Sequence, residues 1–161
     1  MRTLAENCIA MIREIEIIKL PRQRILDEIS HFSVEQLNKV PTGFNNNIIW
    51  NLGHMIAAQQ GICYKRAGLD VRVDEGFFNT YKSGTKPEGF VDAAGVEEIK
   101  KMLFTTLEQL EVDYNNGVIT NYTSFVTPYN ITLSSIDEAL VFLPFHEGLH
   151  IGYIMSLRKL V

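Results

Sequence analysis

The chain has 161 residues, 46% of them hydrophobic and 21% charged, with a formal net charge of −4 and two cysteines. That length fits one domain, residues 1–161, able to bury about two thirds of its unfolded surface without disulfide staples. The acidic balance argues against nucleic acid or an anionic membrane as the main partner, and no stretch approaches the roughly 18 apolar residues that span a bilayer.

Cys8 and Cys63 form no C-x-x-C pair, so neither a disulfide framework nor a thiolate zinc site is expected. A reducing, cytoplasmic setting follows as the simplest expectation. Glu6, Arg13, Glu14 and Glu16 interrupt the N-terminal apolar run, which therefore does not read as a signal peptide.

In chain order, Leu4, Cys8, Met11, Ile12, Ile15 and Ile18 have the spacing of one helical face. Pro21 kinks or ends that helix, and Ile25, Leu26 and Ile29 extend the face over 22–32. One long kinked helix or two collinear pieces are expected. Ser33-Val34-Glu35-Gln36 reads as a capping box that opens a short helical turn, and 40–43 as a loop. A second strong helix is predicted over 45–66, stopped by Gly68. Ile48, Ile49, Leu52, Ile56 and Cys63 form its apolar stripe; Asn47, Asn51, His54 and Ala58 form another that is largely polar.

Residues 69–92 lack helical periodicity, and a connection this long is functional or a crossover. Phe77, Phe78 and Tyr81 on it are expected near the mouth of a site. Ile99, Leu103, Leu107, Leu110 and Tyr114 predict a third helix over 96–115. Residues 116–133 suit an extended segment or a small hairpin. Ser135-Ile136-Asp137-Glu138 is a second capping box, opening a last helix to about Lys159 that Pro144 should kink. The fold class is all-α, a four-helix bundle whose long second-to-third connection lets those two helices run parallel.

Chemistry concentrates in His146-Glu147-Gly148-Leu149-His150. Two histidines four apart share a helical face, so both imidazoles reach one metal ion. The string also fits H-E-x-x-H, in which the glutamate is a protease general base. That reading fails on the remainder of the chain. The eleven residues after His150 hold no His, Asp or Glu, Gly152 stands one place too early for the extended zinc motif, and no sheet precedes the helix.

A third ligand has two histidines to come from. His31, among Ser30, Ser33 and Glu35, reads as a surface or capping residue. His54 lies mid-helix on the stripe with Asn47 and Asn51. It is either a hydrogen-bonded core histidine or the third member of a facial three-nitrogen set with open positions for water or substrate.

Trp50-Asn51-Leu52-Gly53-His54 on the second helix, with His146-Glu147-Gly148-Leu149-His150-Ile151-Gly152 on the last, resembles the DinB superfamily over nearly the whole chain. The resemblance implies an up-down-down-up four-helix bundle. It implies a divalent metal, zinc or nickel, held by His54, His146 and His150, and commonly a homodimer. Related branches transfer or isomerise substrates bearing a low-molecular-weight thiol, which makes such a thiol or another small molecule the expected partner.

Three functions stay open: a metal-dependent transferase or hydrolase on a small molecule, a non-catalytic metal-binding or stress-response bundle, and a purely structural bundle. Asn47, Trp50, Asn51 and Glu147 are supporting or pocket residues in this reading. Asn47 and Asn51 orient His54 or cap the helix. Trp50 is core or pocket wall. Glu147, about 100° around the helix from His146, is not the expected general base. Gly148 and Gly152 allow close helix packing, inside the bundle or at a dimer seam. No arginine cluster or phosphate loop stands in the sequence to name a substrate.

Overall fold

The computed structural model describes the backbone of residues 4–161 and the side chains of residues 13–161. Among the described residues the fold is mostly helical. Its elements are α1 Leu4–Ile29, α2 Val34–Asn38, α3 Ile48–Cys63, α4 Glu75–Tyr81, α5 Ala93–Asn115, β1 Phe125–Val126, β2 Thr132–Leu133 and α6 Ile136–Leu157, with a 3₁₀ turn at Lys65–Ala67. Among the described residues no helix is long and apolar enough to cross a membrane.

Caps set most helix boundaries. Ser33 and Gln36 close the predicted box: the Ser33 hydroxyl accepts from the Gln36 N–H, and the Gln36 side chain accepts from the Ser33 N–H. Asn47 Oδ1 accepts from the Trp50 N–H at 2.7 Å, which starts α3 at Ile48, three residues later than its periodicity predicts. Gly68, at φ 72°, adopts the left-handed conformation that ends the turn after α3. Ser135 caps α6 as expected, but the Glu138 carboxylate accepts from the Ser134 N–H rather than closing a box on Ser135.

The structure selects one of the two alternatives for the first helix and departs from the expected elements in two places. The first helix is one element that runs through Pro21, and the predicted positions Leu4, Cys8, Met11 and Ile12 lie outside the described side chains. The 69–92 connection holds a seven-residue helix, α4, capped by Asp74. Seven residues make under two turns, too few to show a period. Asp92 caps α5, which starts at Ala93, three residues before the predicted start at 96.

α1 packs on α5 and α6, and α3 packs on α5 and α6. Two apolar clusters fill the space between them. One holds Ile25 and Ile29 of α1, Ile48–Ala57 side chains of α3, Val96–Leu103 side chains of α5, and Ile154 and Leu157 of α6. The other holds Ile15 and Ile18 of α1, Cys63 of α3, Leu107 and Leu110 of α5, and Leu140 and Leu143 of α6.

Between the clusters lies a buried polar layer. Arg22 occupies the core position between Ile18 and Ile25 and has 0% exposure. Its Nε donates to Glu147 Oε2 at 3.0 Å and its Nη2 to Glu147 Oε1 at 2.5 Å. Arg22 also donates to the Leu103 carbonyl and, at 3.4 Å, to Gln59 Oε1. Gln59 Nε2 in turn donates to the Thr106 carbonyl at 2.8 Å. All four long helices meet in this layer.

A charge this deep is tolerated because its partner and donors are matched, and removal of one partner strands the other. Arg22→Ala and Glu147→Ala should each cost about 3–5 kcal/mol in urea unfolding, while an Arg22→Met, Glu147→Leu double replacement should cost less than either. Single losses under about 1 kcal/mol, the scale of an exposed pair, would contradict this.

Candidate metal centre

Three imidazoles converge where α3 faces α6. Ring centroids are 4.6 Å apart for His54 and His150, 4.6 Å for His146 and His150, and 5.3 Å for His54 and His146. One nitrogen from each lies within 4.8 Å of the other two. Two metal–nitrogen bonds of about 2.1 Å span at most about 4.2 Å, so a small side-chain movement closes the set on one ion.

Backbone geometry holds His54. A Cβ on Gly53 would stand 2.5 Å from the Tyr81 ring, so only glycine lets α4 lie this close on α3. The close approach brings the Tyr81 carbonyl to 2.7 Å from His54 Nδ1. A carbonyl only accepts, so Nδ1 carries the proton and Nε2 keeps its lone pair. Trp50 stacks on the His54 ring at 4.7 Å with planes 9° apart, and its Nε1 donates to Thr85 Oγ1.

Asn51 holds His150 by the same logic. Its Nδ2 donates to Asn46 Oδ1 and to the Asn47 carbonyl, which turns Oδ1 toward His150. His150 Nδ1 donates to Asn51 Oδ1 at 2.9 Å, leaving Nε2 with the free lone pair. His146 Nδ1 is buried with no hydrogen-bond partner among the described residues. Two fixed tautomers and one orphaned nitrogen fit a cation among the three rings.

The site also keeps its histidines neutral. Burial is the main cause for each. It lowers the His54 pKa against the smaller opposing effects of the Tyr81 carbonyl and the Glu147 charge. It takes His146 down to about 4, helped by His54 and Arg22, and His150 down to about 3, helped by His146 and His54. Metal binding requires neutral imidazole.

A family model described as DinB superfamily matches residues 18–154. The chain belongs to that superfamily. No curated protein matches it. The superfamily match spans both histidine-bearing helices and the buried polar layer between them.

A cavity of about 720 Å³ opens over the histidines, bounded by the C-terminal half of α3, the residues after α4, the hairpin and α6. His54, His146 and His150 line it; Asn51, Trp50, Asn47 and Glu147 do not. Asn51 acts from behind His150, and Asn47 caps α3. The Glu147 carboxylate is engaged by Arg22 and is 2% exposed at the residue level, which leaves it no proton-transfer role in the cavity. His31 is exposed beside Phe32. Of the three crossover aromatics, Phe78 lines the cavity. Phe77 packs on Tyr81, and Tyr81 serves through its carbonyl instead of covering the mouth.

Sequence reasoning missed Arg22 and the Tyr81 carbonyl. Arg22 had a signal: Ile15, Ile18, Ile25 and Ile29 leave it at the core position of a 3-4-3-4 stripe. A backbone carbonyl carries no residue signature.

The pH dependence of the metal-free protein follows in sign. Folded-state values lie below the ordinary histidine value, so the unfolded chain takes up protons first as pH falls. Stability present above about pH 6.5 should drain away toward pH 4, as urea midpoints of metal-stripped protein would register. A midpoint that is flat over this window would contradict the neutral triad.

Proposed function

We infer that this DinB-superfamily protein is a metal-dependent enzyme in which His54, His146 and His150 hold a divalent ion, zinc or nickel, and a small molecule is transformed in the adjoining cavity. The reaction class is transfer or hydrolysis of the thiol-conjugate type. The observation that carries this reading is the convergence of three neutral imidazoles, two with Nε2 left free, on one wall of an open cavity. When bound, the metal would lower the pKa of a water or thiol that reaches it. The chain's own part is to orient the nitrogens through Tyr81 and Asn51 and to enclose the substrate between the hairpin and α3.

A non-catalytic metal-binding bundle would use the same ligands. The cavity volume favours the enzyme, because a purely structural ion needs no space beside it. A structural histidine cluster is disfavoured by the unpartnered His146 nitrogen, since buried polar groups in a finished core are normally paired.

The same proposal takes residues 1–161 as one domain with up-down-down-up helix order. Each long helix supports that order by its passage between the two apolar clusters: α1 and α6 run one way, α3 and α5 the other. A homodimer is proposed through α6. Val141, Phe145, Leu149 and Tyr153 are exposed along it, and among the described residues nothing outside α6's own backbone lies within 4 Å of a Cβ placed at Gly148 or Gly152. Apolar and made of uncharged residues, this stripe suits a second copy of itself. Cytoplasmic residence belongs to the proposal too, supported by a free, buried Cys63 thiol.

Elemental analysis of protein purified without a histidine tag tests the site. Wild type should carry about one divalent ion per chain, and His54→Ala, His146→Ala and His150→Ala should each lose it. Unchanged metal in all three would remove the reading. Light scattering on the same preparations should give twice 18.3 kDa, and a monomer mass would contradict the dimer.

A further inference from the structure

The cavity over the histidines carries charge of one sign. Lys65, Arg66 and Lys82 line it and, among the described residues, no aspartate or glutamate does, in a chain with 19 acidic and 15 basic residues. Lys65 is neutralised by Glu75, 2.6 Å away. Arg66 and Lys82 make no ion pair among the described residues. Lys82 Nζ donates only to Asn79 Oδ1, at 2.8 Å.

Arg66 packs on an aromatic ring. Its guanidinium lies on the Phe125 ring, 4.1 Å from the centroid, and it makes no side-chain hydrogen bond among the described residues. A stacked guanidinium directs its N–H donors outward in its own plane, the geometry that takes an oxyanion through two hydrogen bonds. Basic residues after the C-terminal ends of α3 and α4 also complement those helix dipoles. The dipoles have no bearing on the facing wall, where Phe125, Tyr129 and Phe142 supply apolar surface without one carboxylate.

We propose that the substrate of this cavity is an oxyanion: a small molecule whose carboxylate or phosphate is bound by Arg66 and Lys82, with an apolar body against the aromatic wall and its reacting end at the three histidines. This rests on the reading of those histidines as a substrate-facing metal centre. The charge arrangement adds what that reading lacks, the class of molecule that enters.

The test uses full-length, cobalt-loaded protein titrated with four thiols of similar size and followed by cobalt absorbance. Mercaptoacetate and 2-mercaptoethyl phosphate are anionic, 2-mercaptoethanol is neutral and 2-mercaptoethylamine is cationic. The anionic pair should bind about tenfold or more tightly than the neutral thiol, with the cationic one weakest. The tighter of the two anions tells carboxylate from phosphate.

Arg66→Gln with Lys82→Gln should bring the anionic thiols to the neutral level while 2-mercaptoethanol binding and the cobalt spectrum stay unchanged. Lys82→Gln alone, which leaves the Arg66–Phe125 stack intact, should move binding the same way by less. Wild-type affinities within about twofold for all four thiols, well below the effect of one charged hydrogen bond, would overturn the proposal. So would a double variant that weakens all four alike.

Silence of the cobalt spectrum toward every thiol would count against the thiol reading of the centre and not against the oxyanion. Calorimetry with 3-phenylpropionate and its neutral amide then decides. Binding of the acid alone, lost in the double variant, supports the oxyanion, and equal behaviour of acid and amide rejects it.

Discussion

The Arg22–Glu147 ion pair is the constraint on which the rest of the structure depends. Apolar faces fix which sides of the helices meet, but they tolerate rotation and sliding by a fraction of a turn. A bidentate guanidinium–carboxylate pair does not, because both hydrogen bonds fail together when either helix slips. Glu147 lies next to His146 in sequence and about 100° around α6 from it. Pinning Glu147 toward α1 therefore turns His146 and His150 toward α3 and the cavity. The Leu103 carbonyl and Gln59 complete the guanidinium's hydrogen bonds, so α5 and α3 are tied into the same registration.

On the other side of α6, the histidines are supported by neutral acceptors. Tyr81 offers a carbonyl and Asn51 an amide oxygen. Neutral partners fix the tautomers without adding negative charge, so a divalent ion held by three neutral imidazoles would keep its full charge toward the cavity. The wall above adds Arg66 and Lys82 and no acid. Glu147, next to His146 in the chain, is neutralised by Arg22. A bound ion and this wall would act in one electrostatic direction, toward the negatively charged molecule proposed above, and the neutralised Arg22–Glu147 pair would not oppose them.

Much of this was legible in the sequence, and the reasons differ by residue. The four long helices announce themselves because each carries at least one apolar stripe over several turns, and Ser33 marks a local start and Gly68 a local stop whose chemistry is independent of tertiary structure. His146 and His150 are legible as a pair because a helix alone dictates their common face. His54 needed a second helix, and the Trp50-to-His54 motif supplied it. What could not be read is what depends on one element reaching another. Tyr81 contributes a backbone atom, made available by the missing Cβ of Gly53. α4 is too short to have a period. Arg66, before the crossover, and Lys82, within it, come to one wall only when α4 folds back on α3. The glutamate of the protease-like motif is a structural partner of a residue 125 positions away.

The central claim is that three histidine nitrogens, and no carboxylate, form the protein's share of one metal centre. X-ray absorption spectroscopy of the zinc-loaded protein tests it most directly. Three imidazole ligands at about 2.0–2.1 Å, with the remaining position taken by solvent, is the predicted first shell. A shell with fewer than two imidazoles, or one containing a protein carboxylate or thiolate, would contradict the account.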